Sequence, residues 1–205
     1  MRIVAVSQRI DDYPDRGERR DALDQGLVRF LLACGCLALP LPNALLGEAP
    51  SGTPCREAFD EWTARVRPEG VLLSGGNDPG GCPDRDSTES LLMEYAEGLR
   101  LPLLGICRGM QMMGLRAGAS LVRVEGHVRT RHELHGERTG VVNSFHNFAL
   151  SKCPEDYTVP ARSGDGVPEA IRHVALPWEG WMWHPEREPL FCAMDIERAR
   201  RLFDA

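Results

Sequence analysis

Three features are scarce in this sequence of 205 residues: long apolar runs, blocks of basic residues, and lysine. No apolar run approaches the roughly 20 residues of a membrane-spanning helix, so we expect no membrane segment. The net charge is −6 and the basic residues are scattered, which argues against a nucleic-acid-binding surface. Lysine occurs once, at Lys152, among 24 basic residues, and we interpret this as a compositional bias without functional weight.

Cysteine is not scarce, but its distribution argues against a disulfide framework. The seven cysteines are an odd number scattered along the chain, which is typical of a protein in a reducing cytoplasm, and we expect that location. Cys34 and Cys36 are too close together to form a zinc pair, and no second pair accompanies them. The length and the 42% hydrophobic content suit one domain, residues 1–205, with a sizeable core.

The first half of the chain alternates predicted strands with predicted helices. The strands are expected at residues 2–7, 36–41, 70–73 and 101–106, and the helices at 19–33, 54–66 and 86–99. The intervening residues 11–17 are predicted as a polar loop, and Asp86 as the N-cap of the third helix, with Glu89 completing a capping box. This alternation predicts an α/β fold with three layers and a mostly parallel central sheet.

The second half has a different pattern. Short strands between turns are predicted at residues 120–124, 139–142, 157–160, 170–174 and 180–183, followed by an amphipathic helix at 192–203. We find no repeats, no low-complexity segment and no convincing domain boundary.

The chain is organised around Cys107. Residues 105–109, Gly-Ile-Cys-Arg-Gly, join a buried strand to a helix and match a nucleophile elbow with cysteine in place of serine. The glycines leave room for a tight turn, and the helix N-terminus favours a thiolate. A buried structural cysteine is the alternative. The five-residue pattern at a strand–helix junction favours the nucleophile.

A cysteine nucleophile needs a base, a group that orients the base, and donors for the oxyanion. His184 follows a predicted strand, and Glu186 can reach its far ring nitrogen, although a turn histidine and a solvated acid are the alternatives. The backbone N–H of Arg108 follows the nucleophile and supplies one oxyanion donor. Gly75 and Gly76 end the neighbouring strand, where the backbone can approach a substrate, and the N–H of Gly76 is the candidate second donor. A plain β-turn is the alternative there.

These motifs resemble a known family. The segments 73–76, 105–111 and 183–186 are similar, in this order, to the three signatures of class I glutamine amidotransferase-like enzymes. The resemblance implies a flavodoxin-like fold and a Cys107–His184–Glu186 triad. It also implies that Gln111 contacts a glutamyl group. It assigns the α-amino and α-carboxylate groups of the substrate to the segment that contains Asn143, Ser144, Phe145 and His146.

Further segments resemble one branch of that family. Arg85-Asp86 and residues 143–146 are similar to the γ-glutamyl hydrolases, peptidase family C26. Residues 8–9, 74–78, 143–149 and 182–184 most resemble the hydrolases of γ-glutamyl-CDP-amidate in phosphoramidate capsule biosynthesis. Residues 144–148 depart from the His-His-Gln usual in polyamine-pathway members, which disfavours γ-glutamyl-aminobutyrate as substrate.

A diphosphate in such a substrate would need cations or backbone N–H groups. Arg9 is the candidate contact, with Arg16, Arg19 and Arg20 completing a collar of arginines. The alternative is that these arginines pair with the acidic residues that surround them.

The predicted function is therefore hydrolysis of a small-molecule γ-glutamyl amide through a thioester on Cys107, without a cofactor. A glutaminase subunit that delivers ammonia to a separate synthetase is one alternative. A γ-glutamyl-aminobutyrate hydrolase is another, and an inactive regulatory or binding module is a third. We expect no nucleic-acid or membrane partner, and a homodimer is compatible with this function.

One further cluster contains His127, His132, Glu133 and His135. Its spacing matches no zinc signature, and arginines lie between its members. We therefore predict no metal site, and we interpret the segment as a polar loop at the rim of the active site.

Overall fold

The computed structural model describes residues 1–46 and 56–204 and contains thirteen strands. In chain order the strands are β1 (Arg2–Ser7), β2 (Arg9–Tyr13), β3 (Glu18–Ala22), β4 (Cys36–Leu41), β5 (Gly70–Leu73), β6 (Leu103–Ile106), β7 (Leu121–Arg123), β8 (Val128–Gly136), β9 (Gly140–Phe145), β10 (Phe148–Leu150), β11 (Tyr157–Ser163), β12 (Pro168–His173) and β13 (Trp178–Trp181). The helices are α1 (Gln25–Ala33), α2 (Arg56–Val66), α3 (Pro83–Leu99), α4 (Arg108–Arg116) and α5 (Ala193–Phe203). None of these helices is long and apolar enough to cross a membrane.

Nine strands form the main sheet, in the order β4-β1-β5-β6-β13-β12-β11-β8-β9. The pairs from β4 to β13 are parallel, and the pairs from β13 to β9 are antiparallel. Strands β5 and β6 lie in the parallel half and are buried throughout, as their continuous apolar sequences predict. The predicted α/β, flavodoxin-like fold is confirmed, and the carboxyl ends of β5 and β6 carry the two segments with the strongest functional signals.

The N-terminal region differs from the prediction. Residues 11–17 and the start of the predicted first helix belong instead to a hairpin of β2 and β3. Helix α1 begins only at Gln25. Asp24 caps it, since its carboxylate accepts a hydrogen bond of 2.7 Å from the N–H of Gly26. The hairpin register sets Asp11 opposite Arg20 and Asp12 opposite Arg19. Such cross-strand pairs of opposite charge stabilise a polar hairpin that has no apolar alternation to reveal it.

The predicted start of the third helix was also wrong. Helix α3 begins at Pro83, with Cys82 as N-cap, because proline is preorganised for the first helical position. Asp86 is therefore inside the helix and its carboxylate accepts a bond of 3.0 Å from the N–H of Gly80. Glu89 is fully buried and does not cap the helix.

Several other boundaries moved. Strand β8 was not predicted, since most of its side chains are polar and exposed. Strand β9 extends to Phe145, three residues beyond its predicted end at residue 142. Strand β13 ends at Trp181, two residues before its predicted end at residue 183. Residues 47–55, which include the predicted start of the second helix at residue 54, lie outside the described residues.

The elbow between β6 and α4 depends on two glycines that contact backbone. A Cβ at Gly109 would lie 2.3 Å from the carbonyl oxygen of Leu73, and one at Gly105 would lie 2.6 Å from the carbonyl carbon of Gly109. Backbone atoms in a strand and a helix cannot rotate away as a side chain can. Helix α4 therefore packs against the sheet at a distance that only glycine permits.

This packing predicts a difference between two glycine-to-alanine variants. Gly109→Ala should lower the free energy of unfolding by about 1–3 kcal/mol, because the added methyl group overlaps the backbone of β5. Gly98→Ala is the matched control in a helix, since its Cβ would meet no atom within 4 Å. The control should be neutral or stabilising by up to about 1 kcal/mol. Urea unfolding measures both, and equal effects of the two substitutions would contradict the packing argument.

Candidate active site

Cys107 lies at the turn between β6 and α4 in a strained backbone conformation. Its φ is +50° and its ψ is −101°, a combination that residues with a Cβ rarely adopt. The N–H of Cys107 donates to the carbonyl of Trp181 on the adjacent strand at 2.7 Å, and its carbonyl accepts from the N–H of Gln111 at 3.1 Å. Hydrogen bonds on both sides thus hold the strained residue at the end of the sheet.

His184 and Glu186 form a buried pair beside Cys107. Nδ1 of His184 lies 2.6 Å from Oε1 of Glu186, and both side chains are almost completely buried. Since Glu186 occupies Nδ1, Nε2 is the ring nitrogen that remains to face the Cys107 sulfur, and both residues line the same pocket. Gly75 makes room for the ring, because a Cβ there would lie 2.6 Å from Cε1 of His184.

The surroundings of His184 favour its protonated form. Burial alone would lower the pKa of the imidazole, but the Glu186 carboxylate and the Cys107 sulfur outweigh burial and raise the pKa of His184 to about 9. The imidazole can therefore keep its proton at neutral pH while it faces Cys107.

Asn143 holds the backbone of His184 from both sides. Its Oδ1 accepts from the N–H of His184 at 2.9 Å, and its Nδ2 donates to the carbonyl of His184 at 2.7 Å and to Glu188 at 2.8 Å. Ser144 is similarly engaged, since its Oγ donates to the carbonyl of His127 at 2.6 Å. The resemblance assigned the segment 143–146 to the substrate, and this assignment stays a prediction. In the structure these two side chains bond to the backbone around the site.

A pocket of about 210 Å³ opens above Cys107. Seven of the residues predicted from the sequence line it: Gly76, Cys107, Arg108, Gln111, Phe145, His146 and His184. Gly75, Glu186 and Arg9 lie instead along a narrow cleft on the other side of Gly76. A larger groove of about 750 Å³ lies against α5 and contains none of the predicted site residues.

The loop that carries Gly76 is held by a buried arginine. Nη2 of Arg85 donates to the carbonyls of Ser74 at 2.7 Å and Gly75 at 3.0 Å, and its Nη1 donates to Asn77 at 3.1 Å. Gly76 itself has a φ of +95°, which favours glycine at this turn. The predicted oxyanion donor therefore lies on a fixed loop.

Sequence reasoning missed the residues that complete the pocket. Asn77, Asp78, Asn147 and Arg187 all line it. The Arg187 guanidinium lies 4.6 Å from the centre of the Phe145 ring and places a cation at the pocket. The one sequence signal that could have identified Arg187 was its position directly after Glu186.

The predicted collar of arginines is largely neutralised by neighbouring acids. Arg9 pairs with Asp11 at 3.0 Å, and Arg19 pairs with Asp12 at 3.2 Å. Arg20 pairs with Glu18. Arg9 alone of these borders the cleft beside Gly76.

The chain belongs to the class-I glutamine amidotransferase family, whose family model matches residues 50–190. The resemblance inferred from the three motifs is thereby confirmed. Across the whole fold the chain superposes on the crystal structure of a glutamine amidotransferase from Thermotoga maritima with a TM-score of 0.60 and 16% identity, covering 99% of this chain and 82% of that one. At this identity the likeness shows the fold alone.

Within the family, similar curated proteins include γ-glutamyl hydrolases. The γ-glutamyl-CDP-amidate hydrolase of Campylobacter jejuni is 36% identical over 58% of this chain and 62% of that protein. The γ-glutamyl-γ-aminobutyrate hydrolase of Escherichia coli O157:H7 is 30% identical over 83% of this chain and 81% of that protein. The carbamoyl phosphate synthase small chain of Parasynechococcus marenigrum is 30% identical over 91% of this chain. The chain matches 62% of the first relative and 47% of the third.

The contacts of His184 predict its titration. In protein with ¹⁵N-labelled histidine, NMR should show the imidazolium of His184 at pH 7.5 and its loss at about pH 9. Glu186→Gln should lower this pKa, because it removes the carboxylate at 2.6 Å from Nδ1. Glu188→Gln is the control, since that carboxylate bonds to Asn143 and not to the imidazole. An unchanged pKa in Glu186→Gln would contradict the assigned cause.

Proposed function

We propose that this protein hydrolyses γ-glutamyl amides through a glutamyl thioester on Cys107. The buried His184–Glu186 pair beside Cys107 supports this function more than any other observation. A strained elbow presents the sulfur, a buried carboxylate at 2.6 Å from Nδ1 fixes the imidazole, and the imidazole and the sulfur line the same pocket. This is the arrangement of an activated nucleophile, its base and the group that orients the base.

The first half-reaction forms the thioester. The Cys107 thiolate attacks the γ-carbonyl carbon, and the carbonyl oxygen becomes an oxyanion that accepts from the N–H groups of Gly76 and Arg108. The C–N bond then breaks, and the proton on Nε2 of His184 moves to the leaving nitrogen. Glutamyl thioester and free amine are the products of this step.

The second half-reaction releases glutamate. Nε2 of His184, now neutral, takes a proton from a water molecule as its oxygen attacks the thioester carbonyl. The C–S bond breaks, and Cys107 returns to the thiolate beside the imidazolium. Throughout, Glu186 keeps the ring in one orientation and offsets its positive charge.

The pocket is large enough for only one part of a γ-glutamyl substrate. About 210 Å³ is below the range of pockets that enclose a drug-sized ligand, and it suits a glutamyl group. Gln111 and Phe145 line this space, and we assign them to the glutamyl group. The leaving group then lies at or beyond the mouth of the pocket, where Arg187 supplies positive charge and Arg9, although paired with Asp11, lies beyond Gly76 with further N–H donors.

This division supports γ-glutamyl-CDP-amidate as the substrate, as in the similar protein from Campylobacter jejuni. Hydrolysis of that compound would release glutamate and a cytidine diphosphoramidate. A diphosphate outside the pocket would be within the region of Arg9 and Arg187, and guanidinium groups suit phosphate oxygens. In this proposal the pocket above Cys107 recognises only the glutamyl part of the substrate.

A second candidate function is a glutaminase subunit that passes ammonia to a synthetase. The similarity to a carbamoyl phosphate synthase small chain favours it, because the match extends over 91% of this chain. The γ-glutamyl-γ-aminobutyrate hydrolase activity is supported in the same way by the relative from Escherichia coli. An inactive module is disfavoured, because all three members of the triad are present, with Glu186 bonded to His184 and with His184 lining the same pocket as Cys107.

The proposed roles predict unequal effects of two substitutions. His184→Asn should reduce kcat for a γ-glutamyl anilide by about 10⁴-fold, since no group remains to move the proton. Glu186→Gln should leave a measurable remnant, because the imidazole persists without its oriented partner. His173→Asn, which changes a histidine packed against Tyr157 and Trp178, is the matched control and should retain activity. Near-normal turnover by His184→Asn would refute the mechanism.

The proposed leaving group predicts a substrate-dependent effect of Arg9. Arg9→Ala should raise KM for γ-glutamyl-CDP-amidate by about tenfold, the equivalent of one charge-assisted hydrogen bond, and leave hydrolysis of the anilide unchanged. Arg16→Ala, on the same hairpin but away from the cleft, is the control and should change neither. Equal effects on both substrates would make Arg9 structural. Preference for glutamine or γ-glutamyl-aminobutyrate over the nucleotide conjugate would refute this substrate assignment.

A further inference from the structure

Four side chains outside the triad converge behind the active site. His127 precedes β8, His132 lies on β8, His146 follows β9, and Glu169 lies on β12. One atom of each, a ring nitrogen or a carboxylate oxygen, lies within 4.8 Å of all the others. We call these four residues the His₃Glu cluster. Of the residues suspected from the sequence, Glu133 and His135 are exposed and do not belong to it.

The centre of the His₃Glu cluster contains buried atoms without partners. Glu169 is fully buried, and neither of its carboxylate oxygens has a hydrogen bond. Nε2 of His132 is also buried without a partner. A buried carboxylate is costly unless a cation or several donors compensate it. A cation at the centre of the cluster would compensate these groups.

The other two histidines turn their free nitrogens inward. Nε2 of His127 lies 2.8 Å from a carboxylate oxygen of Asp165, and Nδ1 of His146 lies 3.1 Å from the carbonyl oxygen of Phe148. Each of these nitrogens donates its proton to an oxygen, which leaves the opposite ring nitrogen with a lone pair. Those lone pairs face Glu169. A carboxylate or carbonyl behind a histidine is the usual arrangement around a protein-bound metal.

The spacing of the inward atoms matches a tetrahedral metal. Oε1 of Glu169 lies 3.4 Å from Nε2 of His146, 3.6 Å from Nδ1 of His127 and 3.9 Å from Nε2 of His132. Nδ1 of His127 and Nε2 of His146 are 3.3 Å apart. Two ligands at about 2.0–2.1 Å from a tetrahedral Zn²⁺ are roughly 3.4 Å apart. Only the 3.3 Å contact between the two ring nitrogens meets the distance of a hydrogen bond, and the three separations from Glu169 are too long for good hydrogen bonds.

We propose that this protein binds one Zn²⁺ through His127 Nδ1, His132 Nε2, His146 Nε2 and Glu169. Three imidazoles and one carboxylate suit zinc, and they disfavour Mg²⁺ and Ca²⁺, which prefer oxygen ligands. Four protein ligands leave no open position, and the ligand side chains are at most 11% exposed. The site is therefore structural and takes no part in the hydrolysis. The prediction from sequence spacing that no metal binds is revised by this proposal.

The proposed zinc would hold the strands that carry the triad. The carbonyl of Glu169 accepts from the N–H of Met182 at 2.8 Å, two residues before His184. His146 directly follows β9, whose Asn143 brackets the backbone of His184. His146 also lines the pocket above Cys107. A metal at this point would link β8, β9 and β12 behind the imidazole, and thereby position it.

Metal analysis of the purified chain tests the proposal. The measurements use the Cys107→Ser background, so that the thiol of the triad cannot supply a ligand. After loading with Zn²⁺ and gel filtration, inductively coupled plasma mass spectrometry should find about one zinc per chain. Adding Glu169→Gln should reduce the content to near zero. Adding His135→Ala, an exposed histidine on the same strand as His132, is the matched control and should retain one zinc.

Two further variants keep the result interpretable if Glu169→Gln does not fold. His132→Asn changes the most exposed ligand and should also lose the zinc. Asp165→Asn removes the partner of His127 and should weaken zinc affinity by about 10–100-fold in competition with a chelator. The proposal is overturned if the parent protein retains no zinc, or if zinc persists in folded His132→Asn and Glu169→Gln. Because these readouts do not use activity, they remain valid even if the proposed hydrolysis is wrong.

Discussion

A single buried carboxylate connects the segments that form the active site. Glu89 is fully buried on α3, and it accepts from Ser7 Oγ at 2.8 Å and from Arg85 Nε at 3.0 Å, while its other oxygen pairs with Arg108. Burial of a charge is expensive, and here two guanidiniums and a hydroxyl compensate it. Because each of these partners belongs to a different part of the site, the carboxylate fixes their relative positions.

The network around Glu89 extends to both of the proposed oxyanion donors, Gly76 and Arg108. Ser7 ends β1 and holds Ser74 through two hydrogen bonds, of 2.9 and 2.7 Å. Arg85 holds the carbonyls of Ser74 and Gly75, which lead into Gly76, and Arg108 begins the helix that follows Cys107. One buried ionic network thus fixes the relative positions of the two backbone N–H groups. Preorganisation of this kind is what makes oxyanion stabilisation effective.

The sequence predicted those features that depend on neighbours along the chain. The elbow around Cys107 is encoded within five residues, and His184 and Glu186 are two residues apart, so both patterns could be recognised without a structure. The hairpin of β2 and β3 could not be recognised in this way. Its strands carry charged residues that pair across the hairpin, and they lack the alternation of polar and apolar residues that usually marks a strand. The His₃Glu cluster draws on Glu169 and His146, which are far from His127 in sequence, and a search for regular spacing therefore selected His135 instead.

The small volume of the pocket separates recognition of the glutamyl group from recognition of the leaving group in the proposed reaction. In the proposed reaction the glutamyl group occupies this small pocket, whereas the leaving group meets exposed side chains around its mouth. Substitutions on the hairpin or near Arg187 can therefore change the preferred amine without disturbing the machinery that cleaves the bond. A protein built in this way can change its substrate while its reaction stays the same, because the residues proposed to meet the leaving group and the residues proposed to react lie in different places.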